Sequence, residues 1–404
     1  MVIHINKYFS SVKEKCSKEY FSYLAYRSKT SPKWVILSNY PELRHQLLQF
    51  LEENHPFQPL ILFPPSLDWN TQLFQRPQQM ALGLAKSGAT VFYFQPPPYK
   101  THGTFEVIED HLVLCHFPIE LFSDLENPYL YLLTWNHKYA KSFLSPRILY
   151  DLVDDLSVFA GNTIKLRHAH DILLRDAELV ITSSHQLHEQ VISNRPDAIL
   201  CPNGVDYEFI FNNARSTTHP LQDLLPILNR QKPVIGYYGA LAHWFDYSIV
   251  QNVAKLRPDY SFVLIGPDYD SSIPADLLKL PNVDWLGPKP YLEIPSFLHY
   301  FDVAIIPFVV NQVTNAVSPL KLFEYMAAQK PVVVTPMREC IQYWPVLYAS
   351  TPKDFAIQLD KALDLRFDQN YISQLTRVAQ ENTWLARASQ ILGTLEKINL
   401  RKEQ

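Results

Sequence analysis

The chain has 404 residues, 47% hydrophobic and 13% aromatic, enough for a large core and a length that favours two domains or three. Its net charge of -4 argues against a broad polyanion-binding surface, and so against nucleic acid as a partner. No apolar run approaches the ~18 residues of a membrane span, the N-terminus lacks the apolar core of a signal peptide, and a GxGxxG loop is absent, which argues against an ordinary dinucleotide oxidoreductase.

In chain order, residues 1–56 form an N-terminal extension. Within it, "INKYFSSVKEKCSKEYFSYLAYRSK" (5–29) predicts a basic amphipathic helix, either packed on the following domain or touching a membrane surface through its mixed Lys and aromatic residues. "KWVIL" (33–37) suggests an extra strand. Continuously apolar runs then recur at 60–65, 90–95, 111–117, 129–135, 147–153, 178–184 and 198–203. Such runs suit strands buried on both faces of a parallel sheet. Helical patterns lie between several of them, as in "QRPQQMALGLAKSG" (75–88), which ends on Lys86 and Gly88. The polar, Pro-bearing stretch 212–232 reads as a linker. A second series of runs follows at 233–239, 260–266, 282–287, 302–308 and 330–336. The repeated alternation implies an α/β protein of two doubly wound, Rossmann-like domains facing one another, 57–211 and 233–375. The helical stretch 370–400 is read as returning to the first domain, with residues 376–404 as the crossing helix. Cys16, Cys115, Cys201 and Cys340 lie far apart without metal spacing, as expected of reduced buried thiols in a cytosolic protein.

In "NAVSPLKLFEYMAAQKPVVVTP" (315–336), Ser318 suits an N-cap and Pro319 the first helical position. Leu320, Phe323, Met326 and Ala327 form an apolar face. The helix starts at the carboxyl end of a parallel strand, where such sheets bind ligands and where a helix N-terminus attracts phosphate. Lys321 adds positive charge in a first turn whose dipole disfavours it. Glu324, three residues on, is placed to accept hydrogen bonds from a ribose diol. The bland alternative is a solvated Lys–Glu pair.

"SPLKLFEYMAAQKPVVVTP" resembles the signature of GT-B glycosyltransferases of family 4 type. In these enzymes the second Glu of an E-x7-E motif binds the donor ribose, and Glu324 matches it. "PNGVDYEFI" (202–210) resembles the family's link between domains, and "DVAIIPF" (302–308) the strand before the signature. The likeness covers about residues 58–400. "WNTQLFQRPQQMALGLAKSG" (69–88), "YDLVDDLSVF" (150–159) and "GALAHWFDYSIV" (239–250) are similar to a bacterial subgroup tied to surface-polysaccharide synthesis. Two features depart from the pattern. Ala316 stands where the first Glu belongs, and "YYGALAHWFDY" (237–247) replaces the Arg and Lys that usually clamp the diphosphate. Gly239 and Ala240 are then candidates for a backbone phosphate cradle, with His243 and Lys321 supplying charge. Trp244 and Asp246 either shape the donor pocket or serve as core packing and a helix cap.

The resemblance implies transfer of a sugar from a nucleotide sugar, foremost a UDP sugar, to a glycan or lipid-linked acceptor, with retention of configuration. Lys289 and Tyr291, in a loop similar to the family's base-side loop, are candidates to pack on the base; Lys289 is otherwise a solvated lysine. For catalysis the candidates are His137, at a strand exit like that of a functional His in relatives, and Asp154 and Asp155. His137 is alternatively satisfied by its own helix start. The adjacent aspartates would face opposite ways on a strand, so they are not a matched pair. Asp68, Trp69 and Arg76 are acceptor-side candidates; Arg76 either meets an anionic acceptor or simply pairs. No metal or other cofactor is expected. The expected location is cytoplasmic, with peripheral contact at the inner face of the plasma membrane. Rival readings are a GT-B-fold sugar-nucleotide epimerase and a degenerate, non-catalytic binding subunit.

Overall fold

The structure, a computed structural model, describes residues 40–53, 59–71, 73–98, 104–125, 127–158, 163–216 and 221–402. The expected amphipathic helix at 5–29, the strand at 33–37 and Cys16 lie outside the described residues.

The N-terminal domain is built on eight strands: β1 (Leu60–Phe63), β2 (Thr90–Phe94), β3 (Phe105–Glu109), β4 (Leu112–Cys115), β5 (Tyr129–Leu132), β6 (Arg147–Leu152), β7 (Leu179–Thr182) and β8 (Ile199–Leu200). They run in the order β3-β4-β2-β1-β5-β6-β7-β8. All pairs are parallel except β3 on β4. Every residue of β2, β4, β5 and β7 is buried, because helices cover both faces. β3 is the exception, with an exposed edge and no continuous apolar run, and the sequence pattern does not announce it.

The C-terminal domain has six parallel strands: β9 (Val234–Tyr238), β10 (Ser261–Ile265), β11 (Val283–Trp285), β12 (Val303–Ile306), β13 (Val332–Val334) and β14 (Leu347–Tyr348). Their order, β11-β10-β9-β12-β13-β14, reverses between β9 and β12. The crevice beyond the carboxyl ends of those two strands is where such a sheet takes its ligand.

Segment 212–232 is not a bare linker. A helix over Tyr207–Ser216 reaches into it, and Leu224 and Ile227 from its second half are buried. The long C-terminal stretch is two helices, Gln369–Glu381 and Trp384–Lys402. The first packs on the Leu320–Ala327 helix and the second on the Arg76–Lys86 helix, so the chain changes domain at 382–384 rather than at 376. There Val205 N–H donates to Asn382 O and Trp384 N–H to Val205 O, at 3.0 and 3.1 Å. Cys115, Cys201 and Cys340 are buried, free thiols.

Contacts between the domains come from segments that follow strand ends. Gln79 meets Tyr291, Asn203 meets Ser318, His185 meets Glu339, and Gln186 meets Gln312. The carboxyl edges of the two sheets therefore face each other across a cleft.

Candidate functional site

Helix Leu320–Ala327 opens at the carboxyl side of β12, and its N-cap is Pro319, which offers no side-chain acceptor. Ser318 does not cap it. Ser318 is buried, its Oγ accepts from Asn203 N–H at 3.2 Å and its carbonyl from Asn203 Nδ2 at 2.5 Å. It ties the domains together through an accepting oxygen, with its own O–H still able to donate. Leu322 N–H turns back to Pro319 O at 3.2 Å, and no side chain caps the N–H groups of Leu320 and Lys321, which suit a ligand.

Lys321 lies along the β9 exit. Its Nζ stands 5.4 Å from the Tyr237 ring centroid and 5.0 Å from that of Phe308. A Cβ on Gly239 would come within 2.7 Å of Lys321 Cε, so only glycine leaves this space, and Gly239 has φ +131. No carboxylate pairs with Lys321 among the described residues. Lys321 is half-buried, and burial pushes its pKa down to about 8. Glu324, one turn on, is 2% exposed, and burial pushes its pKa up to about 8. Its Oε1 accepts from Tyr291 Oη at 3.1 Å, while its Oε2 is buried without a hydrogen-bond partner. A buried cation without a counter-ion and a buried carboxylate with an idle oxygen are expensive to leave so. Together they suit a diphosphate and a diol.

The rest of the donor-side set is redistributed. Gly239 N–H is committed to Ile265 O at 2.9 Å, so it cannot cradle phosphate. Ala240 O accepts from Tyr237 Oη at 2.8 Å, and no partner for the Ala240 N–H is found among the described residues. His243 sits at the exposed rim, where its N–H and Nδ1 both meet Asp270 Oδ2 at 2.9 Å. Hydrogen bonds from Ser272 and His243 hold the Asp270 carboxyl down to about 2, so the His243 site is already compensated and adds no free charge. Asp246 is a helix cap, accepting from Ile249 N–H at 2.9 Å. Lys289 pairs with Asp223 rather than with a base. Tyr291 is sandwiched between Phe74 and Phe209, centroids 5.6 and 5.4 Å away, so neither ring face is open to a base.

On the N-terminal side, Asp154 and Asp155 follow β6. Asp155 is satisfied: Ser157 N–H and Oγ and Gln190 Nε2 all donate to it. Burial would raise its pKa, but those bonds outweigh burial and lower it, which makes Asp155 a structural carboxylate rather than a base. Asp154 has no bonding partner among the described residues. Burial, then the nearby Asp151 charge, pushes its pKa up to about 6. That suits a general base working near neutrality. His137 follows β5 in a 3-10 turn, with Nδ1 3.2 Å from Thr134 O and its other ring nitrogen unengaged.

The acceptor-side residues separate. Arg76 is 4% exposed and engages both Asp151 oxygens, at 2.7 and 2.9 Å, as well as Asn203 and Cys201 O. Asp151 also accepts from Tyr131 Oη at 2.6 Å. Arg76 is therefore a buried strut and reaches no acceptor. Trp69 packs edge-on against Phe74 and Tyr93. Asp68 is exposed and accepts from Asn70 N–H. A groove of about 1000 Å³, lined by Trp69, Phe74, Gln79, Phe209 and Tyr291 among others, runs between the domains. Sequence reasoning passed over Gln79, the residue that joins the domains at Tyr291; its position within "QRPQQ" was the available signal. Among the described residues no cluster of three or more His, Cys, Asp or Glu stands ready for a metal, and no helix is long and apolar enough to cross a membrane.

Residues 232–364 match the family model described as glycosyl transferases group 1. The match lies in the C-terminal domain, which is therefore similar to a group 1 glycosyl transferase domain. Among individual proteins, the chain is 30% identical over 249 residues to a protein of Bacillus subtilis (strain 168) whose name assigns it to teichuronic acid biosynthesis as the glycosyltransferase TuaH. The match covers 59% of this chain and 61% of that one, so the chain spans less than two thirds of that relative's length. Sucrose-phosphate synthase from Thermosynechococcus elongatus superposes with a TM-score of 0.60 at 16% identity, covering 85% of this chain and 100% of the other. Anabaena HepE, solved with UDP and glucose, gives 0.58 at 16% identity over 83% and 99%. At these identities the structural likeness shows the fold alone.

Proposed function

We propose that this chain transfers a sugar from a nucleotide sugar, foremost a UDP sugar, to a glycan or lipid-linked acceptor in bacterial surface-polysaccharide synthesis. The observation that carries the reading is the pair Lys321 and Glu324: one helix start presents a cation without a counter-ion and a carboxylate with an idle oxygen. Lys321, the Ala240 N–H and the helix N-terminus stabilise the departing diphosphate. Glu324 takes the ribose hydroxyls. Asp154 removes the proton of the acceptor hydroxyl, and the open nitrogen of His137 contacts the sugar. The name of the Bacillus relative supports the polysaccharide setting, and UDP and glucose in HepE support the donor class. No metal is required, because Lys321 and the helix dipole supply the positive charge. Retention of configuration rests on the family resemblance. The proposed setting is the inner face of the plasma membrane, with residues 5–29 as the peripheral contact.

Ala316 favours a second reading, a non-catalytic nucleotide-binding subunit, since it leaves no carboxylate where relatives keep one. A thermal-shift series with UDP, GDP, ADP, TDP and their sugar conjugates tests the first reading. A selective rise in Tm with uridine nucleotides, reduced in Glu324→Ala, is expected. No shift with any nucleotide at millimolar concentration overturns it. Binding without turnover of UDP sugars, with acceptor extracts supplied, selects the second reading.

A further inference from the structure

The ring of Tyr291 stacks on Phe74 of the N-terminal domain and on Phe209 of the Tyr207–Ser216 helix, which fixes the position of its hydroxyl. That hydroxyl is held from both sides. Gln79 Nε2 donates to it at 3.1 Å, and it donates to Glu324 Oε1 at 3.1 Å. The order of donors fixes the proton: the Gln79 amide takes a lone pair of Tyr291 Oη, which turns the phenolic hydrogen toward Glu324. Glu324 has no other donor among the described residues, and its second oxygen is enclosed and idle. The three residues come from opposite domains, and Gln79 is itself buried. A relay of this form reads the approach of the N-terminal domain and delivers it to one carboxylate.

We infer that Tyr291 is a positioning residue: oriented by Gln79, its hydroxyl holds Glu324 so that the free oxygen meets the ribose of a nucleoside diphosphate. The inference rests on the donor reading above and adds to it the residues that aim the carboxylate and the link between domain docking and donor capture.

The test is calorimetric titration of the full chain with UDP. Tyr291→Phe keeps the stacked ring and deletes the hydroxyl. It is expected to weaken UDP binding about 3- to 10-fold, the loss of one buried hydrogen bond that holds Glu324. In a Glu324→Ala background the same change is expected to add nothing, because the group it acts through is gone. Gln79→Leu, which keeps bulk and removes the donor, is expected to weaken binding several-fold alone and to add nothing to Tyr291→Phe. Near-ultraviolet circular dichroism checks that each variant keeps its packing. UDP binding by Tyr291→Phe as tight as by the unmodified chain overturns the inference alone. So does an equal loss from Tyr291→Phe with and without Glu324. An unmodified chain that binds no UDP is a different failure: it removes the donor reading, and the relay with it.

Discussion

Asp154 is a carboxyl whose burial and neighbour Asp151 push its pKa up to about 6, with no hydrogen bond to offset them. As a base it works only when ionised, so turnover is expected to rise as pH climbs through about 6 and then level off. Asp154→Asn should lower turnover by roughly 10²–10⁴ with UDP affinity unchanged. A rate already flat at pH 5 would exclude the assignment. Lys321 makes the opposite demand. Its folded pKa of about 8 lies below the unfolded value of about 10.4, so the unfolded chain holds more protons between those limits. Stability is therefore expected to rise with pH across that window. Lys321→Met should reduce the rise to the part that Lys330, also pushed down to about 8 by burial, supplies, increase the ligand-free Tm and remove the Tm shift induced by UDP. A variant that keeps its UDP shift would take Lys321 out of the site.

At the scale of elements, the returning helix Trp384–Lys402 decides how the N-terminal domain is closed. It lies so near the Arg76–Lys86 helix that a Cβ on Gly83 would come within 2.8 Å of Trp384 O and 3.3 Å of Ala388 Cβ. Gly83→Val is expected to destabilise the protein by about 1–3 kcal/mol through overpacking, read as a lower urea midpoint, while UDP affinity holds. An unchanged midpoint would mean the helices have room to separate. Most strands of both sheets were legible because they are buried on both faces, and burial writes a continuous apolar run. β3 and the two-residue β14 carry no such run. The crossing helix was legible in type but not in place, since the break at 382–384 follows from the bridge to Val205, a contact that no local pattern encodes.

At the scale of the molecule, local chemistry and distant partners compete for the same side chains, and distance decides. Ser318 has the residue type and spacing of an N-cap, yet Asn203, 115 positions away, claims it. Arg76 stands at a helix start like an anion-binding residue, yet Asp151 neutralises it. Lys289 and His243 are likewise taken by Asp223 and Asp270. Lys321 has no carboxylate partner among the described residues, and Glu324, held by Tyr291 on one oxygen, keeps the other idle. A charge keeps its sequence-level reading only where the fold leaves it unanswered.

Ala316 belongs by position to the loop that leads into the Lys321 helix, yet its methyl is fully buried in the apolar cluster of the N-terminal domain. A glutamate here would carry charge into that cluster, so the missing carboxylate and the close docking are one feature. Any parting of the domains must draw the methyl from its socket and wet the surface around it. Closure over a ligand thus has a hydrophobic component, with a negative heat-capacity change. It weakens on cooling, so the grip of the cleft is set partly by temperature.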